Sequence, residues 1–177
     1  LAELPFAAVR RPTWRCWGYR GALVAGDRQA ANGAIPVHLM SDLAAFTETS
    51  FEESRRRDLR RCRRQVEIRR IDEPTPFLEH GWAVYRSAME RVAYARPVDE
   101  TTYRARMVAR ATDPRRLIVA GFVDGRLAGY LESYAVDGLL YGRELFVASE
   151  MMQTGIATGL YHETITIGAR AGPVRAF

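Results

Sequence analysis

Two Asp-Gly pairs divide the middle of the chain into three apolar runs, and this spacing strongly limits the fold. The runs are Leu117–Val123, Leu127–Ala135 and Leu139–Val147, and they are separated by Asp124-Gly125 and Asp137-Gly138. Asp-Gly between apolar runs is typical of a two-residue hairpin turn, which needs a positive φ at both central residues. Hairpins this tight cannot join parallel strands, so the sequence predicts an antiparallel meander and excludes an all-parallel sheet.

The third predicted strand continues through a short polar turn into a predicted helix, Ala157–Arg170. The segment Leu145–Leu160 reads LFVASEMMQTGIATGL, and the helix should end before Gly172-Pro173. A helix N-terminus carries unpaired N–H groups and the positive end of the helix dipole, so this order of elements favours an anion. Gly155 would allow the backbone to approach a phosphate closely. An ordinary strand–turn–helix without a ligand is the alternative.

The turn resembles the acetyl-coenzyme A (acetyl-CoA) loop of the GCN5-related N-acetyltransferases, the GNAT superfamily. That loop has Arg or Gln, two residues, Gly, one residue, then Gly or Ala, and Met152–Ala157 lies in this register. Gly155, Ala157 and the following Thr158 match, whereas Met152 stands at the basic or amide position and Gln153 would have to replace it. The resemblance covers residues 115–177. It implies an α+β fold with a GNAT-like mixed sheet, mostly antiparallel and flanked by helices.

The resemblance also bears on the extent of the fold. In the superfamily the sheet continues after this helix with at least one more strand and helix, whereas here Val174–Phe177 would only begin the next strand. The C-terminal part of the fold is therefore expected to be missing. An uncovered edge on Leu139–Val147 would make a homodimer possible.

Two helices are predicted before the meander. Phe77–Tyr94 carries apolar residues at helical spacing, and Thr101–Ala111 does so after the break at Arg96-Pro97. By resemblance they correspond to the paired N-terminal helices of the superfamily, and Tyr94–Asp99 would then help form the acceptor pocket. A plain helical hairpin is the other interpretation.

Nine arginines lie within Ser50–Asp72. The 26 basic residues of the whole chain include no lysine. Ser50 and Glu53 fit a capping box, so a helix should begin there, and Val66–Ile71 alternates like a strand. A solvated basic face, a nucleic-acid surface and a surface for a smaller anion are all compatible with this charge. The order of elements from Ser54 onward also resembles the FemAB-like aminoacyl and peptidyl transferases, tandem GNAT-fold proteins that use charged tRNA and no CoA.

The remaining sequence features indicate how the chain divides into domains and in which cellular compartment it is expected. Residues 1–50 are interpreted as an N-terminal extension or the tail of a preceding domain, with strand character at Thr13–Ala25 and Ile35–Met40, and residues 51–177 as a GNAT-like acyltransferase domain. No apolar run approaches the ~20 residues of a membrane span, and no signal-peptide pattern is evident, so a cytoplasmic protein is expected. Two cysteines far apart predict reduced thiols, and the three histidines lack metal-ligand spacing.

The GNAT resemblance implies a reaction in which an amine attacks the thioester of acetyl-CoA. Cofactor contacts are then expected from the strand and the loop: Phe146, Val147, Ala148, Gln153, Thr154, Gly155, Ile156, Ala157 and Thr158. The strand would offer main-chain groups to the pantetheine and a donor to the oxyanion.

A base must also remove the amine proton. Glu144 is the first candidate base and Glu132 the second, although either could be a plain sheet residue. Tyr141, expected on the opposite face from Glu144, could order a water. The acceptor would be a small-molecule or peptide amine, and tRNA enters only under the FemAB-like alternative. A third possibility is a non-catalytic GNAT-fold binding module, which Met152 favours slightly.

Overall fold

The structure is a computed structural model that describes residues 3–9, 22–31, 33, 39–92, 96–136, 138–172, 174 and 176–177. The chain divides into two compact units, Leu1–Leu39 and Met40–Phe177. In the first unit, β1 (Glu3–Leu4) pairs in parallel with β2 (Ala22–Leu23). Most of the strands predicted at Thr13–Ala25 and Ile35–Met40 lie outside the described residues.

The second unit contains the candidate site. Its described elements follow in chain order: α1 (Glu53–Gln65), β3 (Glu67–Ile71), a π-helical turn (Phe77–Gly81), α2 (Trp82–Glu90), α3 (Glu100–Ala111), β4 (Arg116–Val123), β5 (Arg126–Val136), β6 (Leu139–Val147), a 3-10 turn (Ser149–Thr154) and α4 (Ile156–Arg170). Among the described residues, no helix combines the length and the apolar character that crossing a bilayer requires.

The four strands form one sheet in the order β3-β4-β5-β6, and every neighbouring pair is antiparallel. Asp124 and Gly125 adopt φ values of 49° and 74°, as the first predicted hairpin turn requires. Gly138 has a φ of 79° in the second turn, where Asp137 lies outside the described residues. The predicted antiparallel meander and the GNAT-like α+β fold are confirmed.

One face of the sheet packs against the π-helical turn, α2 and α3. Tyr130, fully buried on β5, contacts Phe77 and Phe146 with ring centroids 5.2 Å apart in each case. Met107 and Tyr103 of α3 belong to the same buried cluster. We call this side of the sheet the acceptor face, since the predicted acceptor loop joins α2 to α3.

The opposite face packs against α1 and α4. Ile156 and Leu160 of α4 are fully buried with Cys62 of α1 and Val119 of β4. Burial raises the pKa of the Cys62 thiol to about 11, so this thiol stays protonated at neutral pH. The sheet therefore has a helical layer on each face.

A β-bulge interrupts the pairing of β5 with β6. Glu132 pairs with Glu144 but Ser133 pairs with Gly142, so Arg143 is the extra residue on β6. A bulge shifts every later side chain to the other face of its strand relative to regular alternation. This shift decides where the predicted catalytic side chains point.

Two predicted boundaries need correction. Helix α1 begins at Glu53 after Glu52, whereas Ser50 belongs to a separate 3-10 turn and accepts a hydrogen bond from the Thr47 N–H (3.1 Å). Ser50 is therefore the N3 residue of a capping box whose N-cap is Thr47, in the turn before the helix. The predicted strand at Val174–Phe177 is represented by one parallel bridge between Ala176 and Leu139, with the Leu140 N–H donating to the Ala176 carbonyl over 2.8 Å.

Candidate active site

The end of β6 presents main-chain groups alternately to β5 and to the open edge of the sheet. The Ala148 N–H donates to the Ala128 carbonyl over 3.0 Å. Since bonded pairs alternate in an antiparallel ladder, Phe146 also turns its main chain towards β5, while Leu145 and Val147 turn theirs outward. Of the three residues predicted to contact pantetheine through their main chain, only Val147 is oriented for it.

A polar network from α2 reaches this edge. Arg91 donates to the Val147 carbonyl and to Ser149 Oγ, each over 2.8 Å. Ser87 Oγ accepts a hydrogen bond from the Ser149 N–H (2.9 Å) and lies 3.0 Å from Ser149 Oγ. The outward carbonyl of Val147 is therefore already hydrogen-bonded to Arg91. A ligand that pairs with this strand would still have the Val147 N–H and the Leu145 main chain available.

The loop before α4 is shaped by its own side chains. Gly155 has a φ of 79°, and the Thr154 hydroxyl donates to the Met151 carbonyl over 2.7 Å. The same hydroxyl accepts a hydrogen bond from the Ile156 N–H at 3.3 Å. Ile156 itself is fully buried, so only its main chain could contact a ligand.

Helix α1 packs directly on this loop. A Cβ added at Gly155 would overlap the carbonyl oxygen of Asp58, so the main chain of α1 fills that side of the glycine. Arg61 of α1 donates to the Gln153 carbonyl over 2.9 Å, which places a guanidinium beside the loop. Met152 points away with 49% of its surface exposed.

The packing of α1 on Gly155 gives a prediction about stability. Gly155→Ala should lower the free energy of unfolding by about 1–2 kcal/mol because alanine disfavours the left-handed backbone. Overpacking against Asp58 should lower it by about 1–3 kcal/mol more. Gly172→Ala is the matched control, because Gly172 has a similar φ of 73° and open space around its Cα. Urea unfolding of both variants would separate the backbone effect, which both share, from the overpacking at Asp58, which only Gly155→Ala has. Equal losses of unfolding free energy in the two variants would refute a tight contact at Asp58.

Two carboxylates share one arginine on the acceptor face. Arg110 Nη1 donates to Glu132 Oε2 and to Glu144 Oε2, each over 2.7 Å. Glu132 is fully buried and also bonded to Arg116, whereas 32% of the Glu144 side chain is exposed. Arg143 lies 3.6 Å from Glu144 Oε1. Of the two candidate bases, only Glu144 is open to an acceptor.

The position expected for Tyr141 is wrong. Tyr141 pairs with Tyr134, and Glu144 pairs with Glu132. Because Glu132 and Tyr134 are two residues apart on a regular stretch of β5, they share a face, and so do their partners. The bulge at Arg143 therefore brings Tyr141 to the face of Glu144, with its ring 5.3 Å from that of Tyr134.

Two buried tyrosines on the acceptor face are unsuited to act as bases. Tyr130 Oη lies 3.2 Å from Tyr103 Oη. Burial raises the pKa of Tyr103 to about 12 and that of Tyr130 well above its usual value, so both hydroxyls stay protonated. Both side chains belong to the buried cluster on this face of the sheet.

Sequence reasoning missed Arg91 and Arg110, and it named Arg61 only as a member of the basic cluster, for which a surface for a smaller anion was one of the options. Arg110 did carry a signal, because it follows Met107 by three residues and Tyr103 by seven and so lies on the buried side of α3. A charged residue at such a position predicts a buried partner. The acceptor loop was predicted at Tyr94–Asp99, of which residues 94 and 95 lie outside the described residues. Asp99 caps α3 through the Thr102 N–H over 2.8 Å.

No protein-family model matches the sequence, and no curated protein matches it. Among solved structures, the chain resembles the C-terminal DUF2156 domain of a putative lysylphosphatidylglycerol synthetase from Agrobacterium fabrum, with a TM-score of 0.57 and 13% identity. That match covers 78% of this chain and 43% of the solved chain, so this chain spans less than half of that protein's crystallised length. At this identity the likeness shows a shared fold.

Two acetyltransferase structures were also found at lower similarity. An aminoglycoside acetyltransferase from an uncultured soil metagenomic sample matches with a TM-score of 0.47 and 16% identity, over 62% of this chain and 73% of that one. The PaiA N-acetyltransferase of Thermoplasma acidophilum in complex with CoA matches with a TM-score of 0.46 and 19% identity, over 60% and 74% of the two chains.

Proposed function

We propose that this chain is an N-acyltransferase that moves an acetyl group from acetyl-CoA to a small-molecule amine. The observation that carries the proposal is the edge of β6. Its outward main-chain groups at Leu145 and Val147 lead into the N-terminus of α4, and the half-exposed carboxylate of Glu144 lies on the same strand. A thioester lying along this edge would have its carbonyl near the carboxylate and its phosphates near α4.

One side of the loop before α4 is suited to the negatively charged phosphates of acetyl-CoA. The Gly155 side is filled by Asp58, but Gln153 is exposed and Ala157 is partly exposed. The N–H groups around these residues and the Arg61 guanidinium would hold the phosphates, because arginine donates to phosphate oxygens in a fixed fork. Thr154 and Thr158 would contribute main-chain groups of the same turn.

The chemical step requires a neutral amine. Its nitrogen attacks the thioester carbonyl carbon, which forms the C–N bond and moves the carbonyl π electrons onto the oxygen as an oxyanion. The carbonyl then reforms as the C–S bond breaks, and the thiolate leaves with the electron pair of that bond. Glu144, directly or through a water held by Tyr141, takes the amine proton, which then returns to the thiolate. The outward N–H of Val147 would stabilise this oxyanion.

Arg110 is a positioning residue in this proposal. It bonds the Glu144 carboxylate on one side and the buried Glu132 carboxylate on the other, each over 2.7 Å. Glu132 is in turn held by Arg116, so the position of Glu144 is fixed through a chain of charge-assisted bonds.

Calorimetry with acetyl-CoA tests the donor assignment. The unaltered chain should bind acetyl-CoA, and Arg61→Met should weaken binding about tenfold, which corresponds to the loss of one charged hydrogen bond. Arg63→Met is the matched control, because Arg63 lies on the same helix and pairs with Glu48 over 2.7 Å. No detectable heat from the unaltered chain would overturn acetyl-CoA as the donor.

A further inference from the structure

Helix α1 carries a stripe of arginine on its solvent side. Seven of its 13 residues are arginine. Arg57, Arg60, Arg61 and Arg64 fall within an arc of roughly 100° at 3.6 residues per turn. That arc is opposite the side on which Leu59 and Cys62 are buried. We call these four residues the arginine stripe.

The arginine stripe has few close counter-ions. Arg60 lies 3.7 Å from Glu53, and Arg61 lies 3.7 Å from Asp58. Within the described part of the chain, no carboxylate lies within 4.0 Å of Arg57 or Arg64. The arginines flanking the stripe are different, since Arg56 and Arg63 bind carboxylates at 2.8 Å and 2.7 Å.

Neighbouring members of the stripe repel each other. Arg57 is three and four residues from Arg60 and Arg61, and Arg64 has the same spacings to Arg61 and Arg60, so the stripe contains four like-charged pairs on adjacent turns. Such pairs destabilise a helix. A polyanion laid along the stripe would remove this repulsion, and guanidinium groups donate to phosphate oxygens in pairs.

The same helix is not suited to a lipid surface. Helices that lie in a membrane interface insert an apolar face, but the apolar side of α1 is buried against α4. No apolar side chain lies within the stripe. These observations favour a polyanion in solution over a bilayer.

We propose that the arginine stripe binds the phosphate backbone of a nucleic acid. Contacts to phosphates alone carry no sequence information, so binding should be insensitive to sequence and strongly dependent on salt. The stripe shares Arg61 with the donor site proposed above, whereas Arg57, Arg60 and Arg64 have no part in that site. It lies beside the candidate site, because Arg61 is bonded to the Gln153 carbonyl.

Fluorescence anisotropy with a labelled 24-nucleotide single-stranded RNA tests the proposal. The triple variant R57Q/R60Q/R64Q leaves Arg61 in place for the acetyl-CoA experiment. It should bind at least tenfold more weakly at 50 mM salt. The slope of log K against log salt should flatten by about 2, because each lost phosphate contact contributes about 0.7 for a single strand. The triple variant R86Q/R104Q/R126Q, which removes the same charge from exposed positions elsewhere, should bind within threefold of the unaltered chain.

Circular dichroism separates loss of binding from loss of structure. The stripe variant should fold and melt no lower than the unaltered chain, because it has lost repulsive pairs. The proposal is overturned if the unaltered chain ignores the RNA at 50 mM salt, or if both triple variants lose affinity equally. It is also overturned if the unaltered chain binds vesicles of phosphatidylglycerol and leaves the RNA free. None of these outcomes depends on acetyl-CoA binding.

Discussion

Replacing Arg110 by methionine should destabilise the second unit by about 3–5 kcal/mol, because it removes one of the two arginines that are hydrogen-bonded to a buried carboxylate. Glu132 is fully buried, and Arg110 is the residue that joins it to Glu144, over 2.7 Å on each side. Arg116 also bonds Glu132, which favours the lower end of the range. Urea unfolding would measure the loss as a shift in midpoint with little change in slope.

Arg104→Met is the matched control for this prediction. Arg104 lies on the same helix and pairs with Glu100 over 2.7 Å, but both side chains are more than 40% exposed. Arg104→Met should lower the free energy of unfolding by only about 0.3–0.5 kcal/mol. A double variant R110M/E132M should recover part of the loss, since replacing a buried ion pair by apolar groups is often neutral. Equal stability of R110M and R104M would show that Glu132 does not depend on Arg110.

Glu144→Gln should lower turnover by about 10²–10⁴-fold, the range expected when a positioned general base is removed. Glutamine keeps the shape and can still accept from Arg110, so the fold should persist. Acetyl-CoA affinity should be unchanged, because Glu144 lies on the acceptor face while the donor follows the edge of β6. Release of free CoA thiol, followed with a panel of primary amines, would measure turnover.

Glu150→Gln provides the comparison for the loss of one carboxylate near the site. Glu150 is exposed in the turn that follows β6, and its replacement should leave turnover within twofold. A Glu144→Gln variant as active as the parent would exclude Glu144 as the base and would leave the proposed acyl transfer itself intact. Loss of acetyl-CoA binding in the same variant would mean instead that Glu144 supports the donor.

The sheet could be predicted from the sequence because its determinants are local. Asp124 and Gly125 are adjacent, and the turn they form sets the pairing of Val123 with Arg126, although a bulge between Gly121 and Phe122 shifts the register of the rest of β4 by one residue. The bulge at Arg143 could not be predicted in the same way. Gly142 is a glycine inside a strand, which is a general sign of a bulge. Which residue becomes the extra one is defined only by the pairing with β5. The position of Tyr141 was therefore wrong although its strand was right.

The loop before α4 shows the same limit for the site. Gly155 was interpreted as a place for a phosphate, and its left-handed backbone agrees with the need for glycine. The space beside it is set by Asp58, which lies much earlier in the chain and carries no sequence mark of this contact. Arg61 likewise reaches the loop only through the packing of α1 on α4. Its role as the loop's cation is a proposal that the sequence alone did not suggest.

The packing of α1 on α4 also has a consequence for synthesis on the ribosome. The hairpins of β4, β5 and β6 join neighbours in sequence and can form as soon as they emerge, because closing such short loops is fast. Helix α1 is made before the sheet, but α4, which packs against Cys62, is made after all four strands. Until α4 arrives, an apolar stripe on α1 faces water, which is a condition that promotes aggregation of nascent chains. The high positive charge on the other side of the same helix keeps neighbouring nascent chains apart during that interval.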